Sequence, residues 1–186
     1  VTFSGLAFDS RQVEPGTLFF AFEGFSHDGH AYIDAALANG AAAVVGTRPA
    51  SEYPDVPYVQ VAHGRYTMAH IAAAFYGHPA DKLTLIGVTG TDGKTTTSNL
   101  IFQILKAAGI SVGMVSTVNA VIGDEELDTG FHVTTPEAID LQRYLAQMVD
   151  AGLTHAVLET TSHGLDQLRV IPEDFNVAVV TNITHE

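Results

Sequence analysis

The sequence predicts an α/β fold in two parts, a small α/β domain over residues 1–80 and, over residues 81–186, the first portion of a larger domain with a mostly parallel sheet. Three observations carry that expectation. Short runs of β-branched and aromatic residues alternate with segments of helical apolar spacing. Glycines such as Gly24, Gly40, Gly46 and Gly109 close those segments. The stretch Pro79-Ala80-Asp81 then separates one strand-and-helix group from the next.

Taken in order, TLFFAFEG (17–24) is an apolar strand ended by Gly24. In HAYIDAALANGAAAVVG (30–46), Ile33, Ala36 and Leu37 have helical spacing, Gly40 is a stop, and Ala43 to Val45 form a second strand. VPYVQV (56–61) is a third, and Met68, Ile71, Ala72 and Phe75 fall on one helical face. Past residue 81 the order is strand, loop, helix, strand. Leu100, Ile101, Ile104, Leu105 and Ala108 make an apolar helical stripe, Gly109 a stop, and SVGMVST the next strand. VIGDEELDTG carries hairpin or loop signals. Thr135 is placed to cap a helix that starts at Pro136, gains negative charge from Glu137 in its first turn and runs to about Asp150. HAVLETTS and NVAVVTN are two further apolar runs, each ending in hydroxyl, carboxylate or amide residues, and polar groups at the carboxyl ends of buried parallel strands are where open α/β sheets put their sites.

Composition narrows the function. With 8 basic and 21 acidic residues the net charge is −13, which argues against nucleic acid or an anionic membrane as partner. There is no cysteine, so disulfides, thiolate chemistry and cysteine-based zinc sites are excluded. The histidines at 27, 30, 63, 70 and 78 show no metal-ligand spacing, and no zinc site is expected. No signal-peptide pattern or membrane-length apolar run is visible, so the expectation is a cytoplasmic protein.

The stretch LIGVTGTDGKTTTSNLI (85–101) carries the strongest chemical signal. A buried strand leads through Gly90 and Gly93 into a helix, which aims several backbone N–H groups at one volume. Lys94 can reach a terminal phosphate, and a threonine hydroxyl can meet a magnesium ion. Val88 stands where the full phosphate-loop motif has its first glycine, so the pattern is the shorter GxxGKTTT. Glu159 sits where a buried strand leaves its sheet, a costly place for a carboxylate without a cation or ion pair. Magnesium on the nucleotide accounts for it, with a structural ion pair or cap as the alternative. His163 is either a catalytic group or an ordinary hydrogen-bonded turn residue. Gln167 and Arg169 in GLDQLR suit an amide-and-guanidinium grip on an anionic or carbonyl-rich substrate, and equally a solvated loop. Asp9, Ser10 and Arg11 precede a turn at Pro15-Gly16, where a local salt bridge is the plain account.

Together the blocks DSRQVEPGTLFFAFEG, HDGHAYIDAALANGAAAVV, FYGHPADKLTLIGVTGTDGKTTT, TTPEAIDLQ and ETTSHGLDQLR resemble the Mur ligases, in family order along essentially the whole chain. The ETTSHGLDQLR block is most similar to the branch that makes UDP-N-acetylmuramoyl-tripeptide. That resemblance implies a small amino-terminal α/β substrate domain followed by a truncated P-loop domain. It implies ATP and Mg2+ as cofactors, with Gly90, Thr91, Asp92, Gly93, Lys94, Thr95 and Thr96 on the nucleotide and Thr95 and Glu159 on the metal. Lys94, Glu159 and His163 are the implied catalytic set, His163 as an organiser of the Glu159 loop rather than a proton shuttle. Phe8, Ser10, Phe25, Ser26, His27, Thr134, Thr135, Thr161, Gln167 and Arg169 would hold a UDP-N-acetylmuramoyl-peptide. The implied reaction joins a free amino acid to that substrate by way of an acyl phosphate, in a monomer. Asp92, Val133 and Thr161 depart from the family's usual asparagine, polar residue and serine. The chain's two ends have the look of cuts, and the expectation is a portion without the carboxyl-terminal domain that is not competent by itself. A related ligase of other specificity and a non-catalytic nucleotide-binding module are the rival readings.

Overall fold

A computed structural model describes residues 2–24, 27–117, 119–123, 125–128 and 135–184. The substrate contacts expected at Phe25, Ser26 and Thr134, and the departure at Val133, lie outside the described residues. The chain divides into two compact units, residues 1–68 and 69–186.

In the first unit four short parallel strands pair in chain order: β1 (Gly5–Ala7), β2 (Thr17–Ala21), β3 (Ala43–Gly46) and β4 (Tyr58–Gln60). β2 is buried at every position, as an apolar strand covered on both faces must be. Helix α1 (Ile33–Ala38) carries the crossover from β2 to β3, and its Ile33 and Ala36 pack with Phe19, Ala21 and Val44. Full burial of a side chain such as Phe19 or Ile33 contributes about 1.5–3 kcal/mol. β1, too short to leave a periodic signal, was not foreseen. Helix α2 (Gly64–Phe75) runs across the division between the units.

The second unit has a six-stranded sheet ordered β10-β5-β9-β6-β7-β8, made of β5 (Thr84–Thr89), β6 (Val112–Val115), β7 (Asn119–Ile122), β8 (Glu125–Asp128), β9 (His155–Glu159) and β10 (Val177–Val180). The first four in that order are parallel, and β7 and β8 add an antiparallel hairpin at one edge, on the segment with hairpin signals. Helix α3 (Lys94–Ala107) connects β5 to β6, and α4 (Ala138–Asp150) precedes β9. Alternate residues of the central strands feed opposite faces: Leu85, Ala156 and Leu158 join Leu141, Leu145 and Met148 of α4, while Ile86, Val88 and Val157 join Phe102 of α3. In β5 and β9, Val88 stands opposite Glu159, so both strands deliver their carboxyl ends to the same edge of the sheet. Among the described residues no helix is long and apolar enough to cross a membrane.

Three local expectations change. The buried line of α3 runs through Ser98 and Phe102, while Leu100 and Ile104 are 58% and 66% exposed; apolar residues on both sides of this helix made two stripes readable. Thr135 does not cap α4, which begins at Ala138 after Glu137, because its hydroxyl accepts the Thr161 N–H instead. The segment after β9 is not a plain loop: Thr161 caps a short helix, α5 (Ser162–Asp166), by accepting the Gly164 N–H at 2.9 Å.

Candidate phosphate site and substrate cleft

The loop from Gly90 to Gly93 joins the carboxyl end of β5 to the amino end of α3. Gly90 has φ 138° and Gly93 φ 81°, values that a side chain rarely adopts. At Gly90 the requirement is doubled, since a Cβ there would lie 2.1 Å from Thr181 Oγ1 and 2.8 Å from the Asn182 carbonyl. The first turn of α3 has no side-chain cap, so the N–H groups of Lys94, Thr95 and Thr96 lack intrahelical acceptors and face the loop's concavity. Lys94 Nζ donates to the carbonyls of Gly90 (2.8 Å) and Thr91 (2.9 Å), which places the ammonium over the loop.

Glu159 ends β9 and is only 2% exposed. Its Oε1 accepts from the Thr95 hydroxyl at 2.8 Å and its Oε2 from the Thr117 N–H at 3.1 Å. No cationic side chain pairs with it among the described residues. A buried carboxylate satisfied only by neutral donors, with a threonine oxygen beside it, is a donor set of hard oxygens and fits magnesium. Asp92 is exposed on the loop and His163 is exposed in the first turn of α5, and among the described residues no hydrogen bond joins His163 to Glu159.

A second polar group lies between the start of α4 and the end of α5. Arg169 donates through Nε and Nη2 to Gln167 Oε1 (2.9 and 2.6 Å), through Nη1 to the Thr135 carbonyl (2.8 Å), and pairs with Glu137 at 3.1 Å. Thr135 Oγ1 lies 3.3 Å from Thr161 Oγ1. Leu168, between Gln167 and Arg169, takes the left-handed φ of 51° that turns both side chains into one cluster. Gly164 permits the packing, because a Cβ there would stand 2.7 Å from the Thr135 hydroxyl. The structure thus brings Thr135, Thr161, Gln167 and Arg169 together, and adds Glu137.

In the first unit, Phe8, Ser10 and His27 line a cleft of about 560 Å³ with Phe22, Tyr32 and Arg65. The Arg65 guanidinium lies 5.2 Å from the Phe22 ring centroid, and Gly64 lets α2 start against that ring. At the cleft's edge Arg11 makes a forked pair with Asp9 (3.0 and 2.6 Å), the local salt bridge expected there, and this hydrogen bonding holds the Asp9 carboxyl below its usual range against the opposing effect of burial. Behind the wall, His30 Nε2 accepts the N–H groups of Thr47 and Arg48, so its proton sits on Nδ1 and is donated to Asp28 at 2.6 Å. Phe22, Tyr32 and Arg65 were not foreseen: aromatic residues in and beyond an apolar strand read as core.

A strand, a glycine loop with a lysine at the following helix, and a buried carboxylate on the neighbouring parallel strand define a P-loop α/β protein. Residues 88–186 match the Mur ligase middle domain, and residues 2–76 match the domain described as Mur ligase family, catalytic domain. The chain belongs to the Mur ligase family. It is 48% identical over 181 residues, 97% of its own length, to the UDP-N-acetylmuramoyl-L-alanyl-D-glutamate--2,6-diaminopimelate ligase of Geobacillus kaustophilus. It is 46% identical over 186 residues, 98% of its length, to the UDP-N-acetylmuramyl-tripeptide synthetase of Roseiflexus sp.. A solved structure of a UDP-N-acetylmuramoyl-L-alanyl-D-glutamate--2,6-diaminopimelate ligase superposes on 99% of the chain with a TM-score of 0.85 at 32% identity. The chain spans 36% of each of these curated relatives and 37% of the solved one.

Proposed function

We propose that this chain supplies the sugar-nucleotide-binding domain and the phosphate-binding part of an ATP-dependent ligase that joins an amino acid to a UDP-N-acetylmuramoyl-peptide in peptidoglycan synthesis. The observation that carries the reading is the Thr95–Glu159 contact beside the Lys94 loop, which collects an ammonium, helix N–H groups and two hard oxygens at one end of the sheet. The names of the curated relatives support the substrate class.

In this reading the Gly93 to Thr96 segment and Lys94 hold the triphosphate, and Lys94 neutralises charge as oxygens shift between phosphates. Thr95 and Glu159 would hold magnesium, which supplies Lewis-acid charge neutralisation there. The substrate's carboxylate is already ionised near neutrality, so these residues position it rather than deprotonate it. The 560 Å³ cleft takes the uridine diphosphate end, with Phe8, Phe22 and Tyr32 offering rings to a base and Arg65 a charge to phosphate. In the second unit, the Thr135, Thr161 and Gln167 cluster supplies hydroxyl and amide groups suited to such a substrate.

The test is calorimetric titration of ATP·Mg and, separately, of UDP-N-acetylmuramoyl-dipeptide. Lys94→Ala is expected to lose roughly ten- to a hundredfold in ATP affinity, the loss of a charged hydrogen bond, while its UDP-substrate affinity is retained. Equal ATP affinity in the variant would remove Lys94 from the phosphates, and no UDP-substrate binding by the parent would remove the cleft.

A further inference from the structure

The segment after β10 makes contacts that the reading above does not use. Asn182 binds the phosphate loop through three groups: its side-chain Oδ1 accepts the Asp92 N–H at 3.0 Å, its Nδ2 donates to the Asp92 carbonyl at 3.1 Å, and its own carbonyl accepts the Thr91 N–H at 3.1 Å. Thr181 Oγ1 donates to the same Asp92 carbonyl at 2.6 Å and lies 3.2 Å from the Thr89 carbonyl, and the Thr181 N–H also goes to Thr89. Thr184 closes the set, its N–H donating to Thr91 Oγ1 at 3.1 Å.

These bonds divide the loop in two. The N–H groups of Thr91 and Asp92, both inside the glycine motif, point at residue 182 and away from the concavity in front of α3. The N–H groups of Gly93, Lys94, Thr95 and Thr96 have no backbone acceptor among the described residues. A carboxamide that pairs with both the N–H and the C=O around one residue fixes that residue's peptide planes, and the missing Cβ at Gly90 lets Thr181 approach closely enough to do the same from the other side. The loop's shape is therefore set by a segment about ninety positions further along the chain, as the separation of 90 for Asp92 and Asn182 records.

We infer that Asn182 and Thr181 are positioning residues for phosphate binding: they hold Thr91 and Asp92 as the fixed outer wall of the loop, so that a polyphosphate is received by Lys94 and the N–H groups of residues 93–96 alone. The inference rests on the phosphate-loop reading and narrows it, since Thr91 and Asp92 contribute shape and no donor. It also gives Asp92 a place that triphosphate tolerates. Its peptide groups face Asn182, and its side chain is exposed.

The experiment compares the parent chain with Asn182→Ala, Thr181→Ala and Thr181→Ser, titrating each with ATP·Mg and with inorganic tripolyphosphate·Mg. Tripolyphosphate has no base or ribose and reads the loop by itself. Asn182→Ala and Thr181→Ala are expected to lose about tenfold in affinity, by the same factor for both ligands, and Thr181→Ser, which keeps the hydroxyl, to recover most of it. Amide hydrogen exchange supplies a readout independent of ligand: in Asn182→Ala the Asp92 amide exchanges faster while the Val88 amide in β5 stays protected, so a globally unfolded variant is recognised as such. A loss confined to ATP would mean that Asn182 touches the nucleoside and would overturn the inference, as would parent-like affinity with an unprotected Asp92 amide. A parent chain that binds neither ligand would remove the phosphate-loop reading itself, a result distinct from a binding parent with unaffected variants.

Discussion

The Thr95 hydroxyl donates to Glu159 Oε1 at 2.8 Å, although 64 positions separate the two residues. Thr95 is in the first turn of α3 and Glu159 is the last residue of β9, and they meet because β5, which leads into that helix, pairs in parallel with β9 and sets Val88 opposite Glu159. A two-residue shift in that register would move the carboxylate out of reach.

Glu159→Gln keeps the shape and hydrogen-bonding reach of the side chain and removes its charge. In the presence of ATP, magnesium is expected to raise the unfolding midpoint of the parent and to leave that of the variant almost unmoved. At a hundredfold excess over its dissociation constant a bound ligand stabilises by about 2.7 kcal/mol, an effect of several degrees in a thermal scan with and without chelator. Equal magnesium shifts in the two proteins would place the metal elsewhere.

Arg169 should behave as a fixed strut between two segments, residues 135–137 and 167–169. Its side chain is 14% exposed and that of its partner Glu137 17%, so Arg169→Ala takes one ion pair from a largely desolvated carboxylate and the guanidinium donor from a Gln167 oxygen. Urea unfolding is expected to show a loss of about 1.5–3 kcal/mol, the contribution of a charged hydrogen bond. Arg169→Lys should recover less than half of it, because an ammonium cannot serve Gln167, Glu137 and the Thr135 carbonyl together. Full rescue by lysine would reduce the contribution to simple charge.

The pH dependence of stability has a term from Asp174. Burial pushes its carboxyl above the usual range, the charge of Asp81 adds to this, and a hydrogen bond from Gln142 with the charge of His70 opposes it, while Glu173 raises it slightly further. The folded state therefore holds this proton to a higher pH than the unfolded chain does. Across the window between the ordinary carboxylate value and the raised one, stability falls as pH rises; below the window the term is absent, and above it the penalty is complete. Asp174→Asn should flatten that slope and leave the protein more stable than the parent at neutral pH. Parallel profiles of unfolding midpoint against pH would refute the assignment.

Local signals account well for the larger elements and for the glycine loop between β5 and α3. The strand from Thr84, the glycine loop and the helix from Lys94 announce themselves because apolar runs, positive φ and helix starts each have a residue-level cause. Less was legible where one residue had two possible partners. Thr135 suits a helix cap by type and position, yet its hydroxyl faces Thr161 because α5 packs against it through Gly164. Leu100 and Ile104 complete an apolar stripe on paper, while the sheet takes Phe102. In the first unit, Phe22 and Tyr32 have the composition of core and line the wall of a cleft.

By itself the sequence determined the α/β class, the glycine loop with Lys94 and Thr95 at the following helix, the strand-end carboxylate Glu159 and the resemblance to Mur ligases, since each is written in residues close together along the chain. Only the tertiary structure decided which parallel strands are neighbours, and so that Thr95 reaches Glu159, that Arg169 binds Glu137 and Thr135, and that Asn182 holds Asp92. The physical reason is range: φ preferences and helix starts act over a few residues, whereas a hydrogen bond between positions 92 and 182 exists only after strand order and register have brought its two ends together.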